Sequence, residues 1–88
     1  MLSNGLTAVA TTSDVAVKLI DNTQGKAFRS LRIINGAVAG FYSFDNSVWA
    51  RLQANATVEL YDLHHTGHVW VKRIGGGTDL ADVWGSAW

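Results

Sequence analysis

Apolar side chains in this chain recur at every second residue, in short runs that stop at glycine, asparagine or aspartate. That alternation is the tightest constraint on its fold, because period two places successive side chains on opposite faces of an extended strand. Val15, Val17 and Leu19 point one way, and Ala16 and Lys18 the other. Leu31 and Ile33 alternate with Ser30 and Arg32, and Ile34 carries apolar character to the second face. Between Ala37 and Phe44, the residues Val38, Gly40, Tyr42 and Phe44 share a face that Phe41 does not, and Gly40 is expected to mark a bulge or a close backbone approach. Val58 and Leu60 alternate with Thr57, Glu59 and Tyr61, and Val69 and Val71 alternate with Trp70 and Lys72. Leu6 to Thr11 adds a weaker strand.

The runs are separated by residues that favour turns: Asp21 to Gly25, Asn35-Gly36, Asp45-Asn46-Ser47, His65-Thr66-Gly67 and Gly75-Gly76-Gly77. Asn35-Gly36 between two apolar runs predicts a tight β-hairpin. Turn signals every 8–12 residues or so predict an all-β fold, a small antiparallel β-sandwich or barrel of about six to seven short strands. Residues 78–88 break the pattern. Leu80, Val83, Trp84 and Trp88 recur at spacings of three and four, and Thr78 or Asp79 is placed to cap, which predicts a short helix. A last irregular strand running into a Trp-rich tail is the other reading. The expected organisation is therefore one sandwich domain over 1–77 and a closing segment or tail over 78–88.

Size and charge narrow the function. A chain of 88 residues without cysteine forms one small domain whose core is marginal, and it has no disulfide to reinforce it. Its formal net charge is zero, so no long-range field gathers nucleic acid or anionic lipid, and neither is expected as a partner. The segment Met1 to Thr7 has neither a basic region nor a long apolar stretch, which predicts no secretory signal and no membrane span. Near-zero charge together with four tryptophans points to stabilisation by association with other subunits.

Candidate chemistry is sparse. His64, His65 and His68 form one turn and are weak metal candidates, since structural zinc needs four ligands and cysteine is missing. No Gly-x-Ser-x-Gly elbow and no cysteine nucleophile are present, so no catalytic residues, no cofactor and no enzymatic activity are expected. Gly75-Gly76-Gly77 lacks the lysine and spacing of a phosphate loop and reads as a connector. Lys26, Arg29, Arg32, Arg51, Lys72 and Arg73 are scattered along the chain and read as a solvated surface. Two roles suit the aromatics. Tyr42, Trp49 and Trp70, if exposed, would form a ligand-stacking platform of the lectin-like kind. Trp84 and Trp88, with Leu80 and Val83, would form a subunit interface, or else close the domain's own core.

The order of features carries a resemblance. Asp14-Val15-Ala16-Val17-Lys18-Leu19 is followed by Leu31-Arg32-Ile33-Ile34-Asn35 and Gly40-Phe41-Tyr42-Ser43-Phe44-Asp45-Asn46. The step from Leu52-Gln53-Ala54-Asn55 into Val58-Glu59-Leu60 then precedes His68-Val69-Trp70-Val71-Lys72. Over residues 12–77 this resembles the small β-sandwich virion proteins of tailed bacteriophages, and the Trp-rich end departs from the pattern. The resemblance implies a structural protein of the particle, made in the host cytoplasm and resident in the virion. Capsid decoration or cementing is the leading expectation. Its partners would be copies of itself, in a trimer for example, and a major capsid protein. A neck, tail or fibre component, or a carbohydrate-binding module on a particle or cell surface, are the alternatives.

Overall fold

The computed structural model describes residues 7–11, 16–23, 25–73 and 80–88, with the backbone alone for 7–11, 73 and 80–82. Within them are eight strands: β1 Thr7–Thr11, β2 Val17–Ile20, β3 Leu31–Ile34, β4 Gly40–Ser43, β5 Ala50–Leu52, β6 Thr57–Leu60, β7 Val69–Arg73 and β8 Leu80–Ala87. They form two four-stranded sheets with the orders β1-β8-β3-β6 and β2-β7-β4-β5. Every pairing is antiparallel. The expected all-β sandwich is thus the fold, and each alternating run becomes a strand.

The inner faces meet as the alternation requires. Leu31, Ile33, Val83 and Ala87 of the first sheet and Leu19, Leu52, Val69 and Val71 of the second are each no more than 1% exposed. Burying side chains of this size contributes roughly 1.5–3 kcal/mol apiece for the larger ones. Phe28, from the irregular segment before β3, is also fully buried and bridges in antiparallel fashion to His65.

Three local expectations are corrected. Asn35-Gly36 does not make a hairpin, because β3 lies in the first sheet and β4 in the second. Neither residue takes the left-handed φ that the tight hairpin turn needs. Instead Asn35 is buried and binds the segment that follows β5. Its Nδ2 donates to the carbonyls of Gln53 (2.8 Å) and Val38 (2.9 Å), and its backbone N–H donates to Ala56 O. Among the described residues the one pair of strands adjacent in both sequence and sheet is β4–β5, joined through the Asp45-Asn46-Ser47 turn with Asn46 at φ 59°. Gly40 marks no bulge, since it pairs in unbroken register with Leu52 and Arg73, and the register shifts fall at Val9/Thr11 and Lys18/Ile20.

The third correction concerns the C-terminal segment, which is strand β8 and not a helix. It runs between β1 and β3, placing Gly85 opposite Ile33 and Ala87 opposite Leu31 on the core side. The helical spacing misleads because, of the core-facing positions Val83, Gly85 and Ala87 among the described side chains, the last two are too small to register as apolar alternation. The Thr78 or Asp79 cap and the Gly75-Gly76-Gly77 connector lie outside the described residues. Strand β5 was hidden for a related reason, since in Ala50-Arg51-Leu52 only Leu52 is buried.

Gly85 is a point of close approach between the sheets. A Cβ built there would sit 2.6 Å from Leu19 Cγ and 2.7 Å from Leu19 Cδ2. Gly85→Ala is therefore expected to cost about 1–3 kcal/mol by overpacking, read as a lower urea midpoint. Leu19→Ala in that background should be less damaging than in the parent, and additive losses in the double-mutant cycle would refute the contact.

Candidate functional site

Strand alternation sorts β7 into two chemistries. Val69 and Val71 enter the core while Trp70 and Lys72 face outward. Register then assembles the outer face of the second sheet. Trp70 pairs with Lys18 of β2 and Ser43 of β4, and Lys72 pairs with Phe41, which pairs with Arg51 of β5. Trp49 lies two residues before Arg51 and joins the same face. Cations and rings interleave there. Lys72 Nζ lies 4.2 Å from the Trp49 ring centre and 5.8 Å from that of Phe41. The Arg51 guanidinium is 5.8 Å from Phe41, and Lys18 Nζ is 5.6 Å from Trp70. Each such contact at a wet surface contributes about 0.5–1 kcal/mol.

A groove of about 260 Å³ opens beside this face, lined by Tyr42, Ser43, Phe44, Asp45, Val48, Trp49 and Ala50. Its shape depends on Asp45. The Oδ1 of Asp45 accepts from the backbone N–H groups of Ser47 and Val48, each at 2.9 Å, and from Ser43 Oγ at 2.9 Å. The N–H groups of Val48 and then Ser47, followed by the Ser43 hydroxyl, hold the carboxyl below the ordinary aspartate value of 3.8. These bonds close the β4–β5 turn and set Val48 and Trp49 on the groove wall.

The three expected stacking aromatics do not share a face. Trp70 and Trp49 look outward, whereas Tyr42 pairs with Val71, packs against the core and reaches the groove from beneath. Phe41, Lys18, Lys72 and Arg51 were not singled out for this site. The signal for part of it was present as aromatic and cation two residues apart, in Trp49-Ala50-Arg51 and Trp70-Val71-Lys72. The scattered basic residues are therefore partly gathered. Lys72 and Arg51 of that set stand on one face with Lys18.

The histidine turn is a structural latch. His65 is set edge-on between Phe28 and Phe44, with ring centres 5.4 and 4.9 Å away, and its Nε2 donates to His68 O at 2.9 Å. His68 Nδ1 accepts the Asn22 N–H at 2.9 Å. The buried Asn22 side chain donates in turn to the carbonyls of Lys26 and Thr66 (2.8 and 3.0 Å), tying two loops together. His64 is exposed. Among the described residues no three His, Asp or Glu side chains converge on a metal position.

The outer face of the first sheet carries the other aromatics. In β8, Trp84 and Ser86 face away from the core, and Trp88 continues the row, its N–H and carbonyl bonded to Ser30. Trp84 and Trp88 are 38% and 41% exposed and stand roughly 13 Å apart along the strand. Tyr61, 59% exposed, donates its hydroxyl to Glu59. Glu59 also meets Arg32 Nη2 at 3.3 Å. The Tyr61 bond first, and then Arg32, hold the Glu59 carboxyl below its usual range, and the same bond raises the Tyr61 phenol. Val83 does not belong to this surface. It is wholly buried in the core and offers nothing to a neighbour. The side chain of Leu80 lies outside the described residues.

Comparison with family models, curated proteins and solved structures finds no match to the chain.

The Asp45 turn predicts a pH signature. Because its folded pKa is depressed, its contribution is fully present above about pH 4 and is lost as pH falls through the folded value. Asp45→Ala should be less stable than the parent at neutral pH, and the difference should shrink towards pH 2. Urea midpoints across that range measure it, and a pH-independent difference would refute the assignment.

Proposed function

We propose that this protein is a non-enzymatic structural subunit of a virus particle, a capsid decoration or cement protein whose contact surface is the outer face of the first sheet. One observation carries the assembly part of the reading. Trp84 stands exposed on β8, a strand held between two neighbours, and Trp88 follows the strand's last residue with its backbone bonded to Ser30, so they form an anchored aromatic row and not a loose arm. Tryptophan is the residue most enriched among energetic anchors of protein interfaces. Tyr61 and Ile34 extend the same face, with the Arg32–Glu59 pair between them, which combines apolar anchors with a polar centre.

The virion part rests on the resemblance of residues 12–77 to the small sandwich proteins of tailed phages. The absence of a catalytic role is supported by how the polar groups are used. Asp45 closes a turn, and His65 and His68 hold loops. A neutral chain with a marginal core gains stability from association by mass action, since a partner that binds the folded state alone shifts the folding equilibrium.

Removing residues 79–88 cannot test this reading, because it deletes a central strand and with it the fold. Substitution on the surface does. Light scattering on the purified chain is expected to give a multiple of 9.5 kDa, and Trp84→Ser with Trp88→Ser should return it to one chain with the β-sheet circular dichroism retained. Equal monomeric masses for parent and variant at high concentration would overturn self-assembly through this face.

A further inference from the structure

We infer that the outer face of the second sheet, together with its groove, binds an acidic polysaccharide through pyranose rings that carry carboxylates. The site lies on the opposite side of the sandwich from Trp84 and Trp88, so the inference stands apart from the assembly role.

Three features point to this ligand chemistry. The groove of about 260 Å³ lies just below the roughly 300–1,000 Å³ usual for drug-sized ligands and suits a single ring. Its wall is apolar and aromatic, from Trp49, Phe44 and Val48, and offers flat surface to the C–H face of a sugar.

Two cations of the outer face, one of them over the Trp49 ring that also lines the groove, are available to an anion. Lys72 and Arg51 have no carboxylate partner among the described residues, and their contacts are the ring faces of Trp49 and Phe41. A ligand carboxylate is a stronger partner for both than a ring quadrupole. Trp70 offers a further ring across the sheet, beside a Lys18 that is already paired with Asp21 at 3.9 Å, which suits a chain of several sugars more than a single one.

Asp45 separates this ligand from a nucleic acid. All three bonds to its carboxylate fall on Oδ1, so among the described residues Oδ2 is left to accept from a sugar hydroxyl. A phosphodiester has no hydrogen to donate to it, whereas a pyranose hydroxyl does, and the ligand's own carboxylate is directed away from Asp45 towards Lys72 and Arg51.

The test is calorimetric titration of the full chain with trigalacturonate, with its fully methyl-esterified trimer, and with a short oligodeoxythymidylate. Binding of the acid form, at least about tenfold weaker for the ester, is expected, because the ester keeps the ring and loses the charge. Lys72→Gln with Arg51→Gln should weaken the acid form by a similar factor, while Arg29→Gln, away from this face, should not. Trp84→Ser with Trp88→Ser should leave the titration unchanged, which separates this site from the assembly surface. The ester comparison uses the unaltered protein and so does not depend on the double variant folding. No binding of the acid form, equal binding of the ester, or equal or tighter binding of the oligonucleotide would each overturn the proposal.

Discussion

The domain depends on how closely its two sheets can approach between β2 and β8. Gly85 has no side chain, and Leu19 of the facing sheet fills the space a Cβ would need. With that contact made, Val83 and Ala87 on either side of Gly85 are sealed completely, and so are Val69 and Val71 across from them. A core this small has few layers, so a gap at one position would be felt by most of the others. The strand that supplies the contact also has neighbours on both edges, which is why the last residues of the described chain are integral to the fold.

A sandwich that commits one face of every strand to the core is left with two outer faces, and here they differ in kind. The first sheet shows tryptophan, tyrosine and isoleucine around one ion pair. The second shows three cations resting on three rings beside an apolar groove. Zero net charge conceals this asymmetry, because a sum over the chain says nothing about which residues share a face. Association through one face and ligand recognition through the other are compatible, since neither uses the side chains of the other.

Polar residues that look reactive in the sequence do architectural work. Two sandwich connections are fastened by side chains that replace backbone turns: Asn22 with His68 and Thr66, and Asn35 with Gln53 and Val38. The chain crosses between sheets at most of its connections, so these buried amides satisfy carbonyls that no ladder reaches. Asn35-Gly36 shows why a strong local signal fails. The dipeptide can form a tight hairpin, but the apolar faces of β3 and β4 are buried from opposite sheets, and burial of whole strands outweighs one turn.

By itself the sequence determined which residues face inward, because alternation is a property of the extended chain and needs no partner to be read. Leu31 and Ile33, Val69 and Val71, and the outward Phe41, Trp70 and Lys72 all follow from it. Composition likewise determined that the fold is held without disulfides, since the chain has no cysteine. The tertiary structure alone decided which strands are neighbours, and so which outward residues meet. Lys18, Arg51 and Lys72 are far apart in the chain and become one surface only through the registers of β2, β7, β4 and β5. It also decided that residues 80–87 form a strand, since Gly85 and Ala87 acquire their core role from the sheet opposite and carry no local signal of it. Pairing partners are chosen by long-range burial, and a local pattern cannot encode contacts between residues it does not contain.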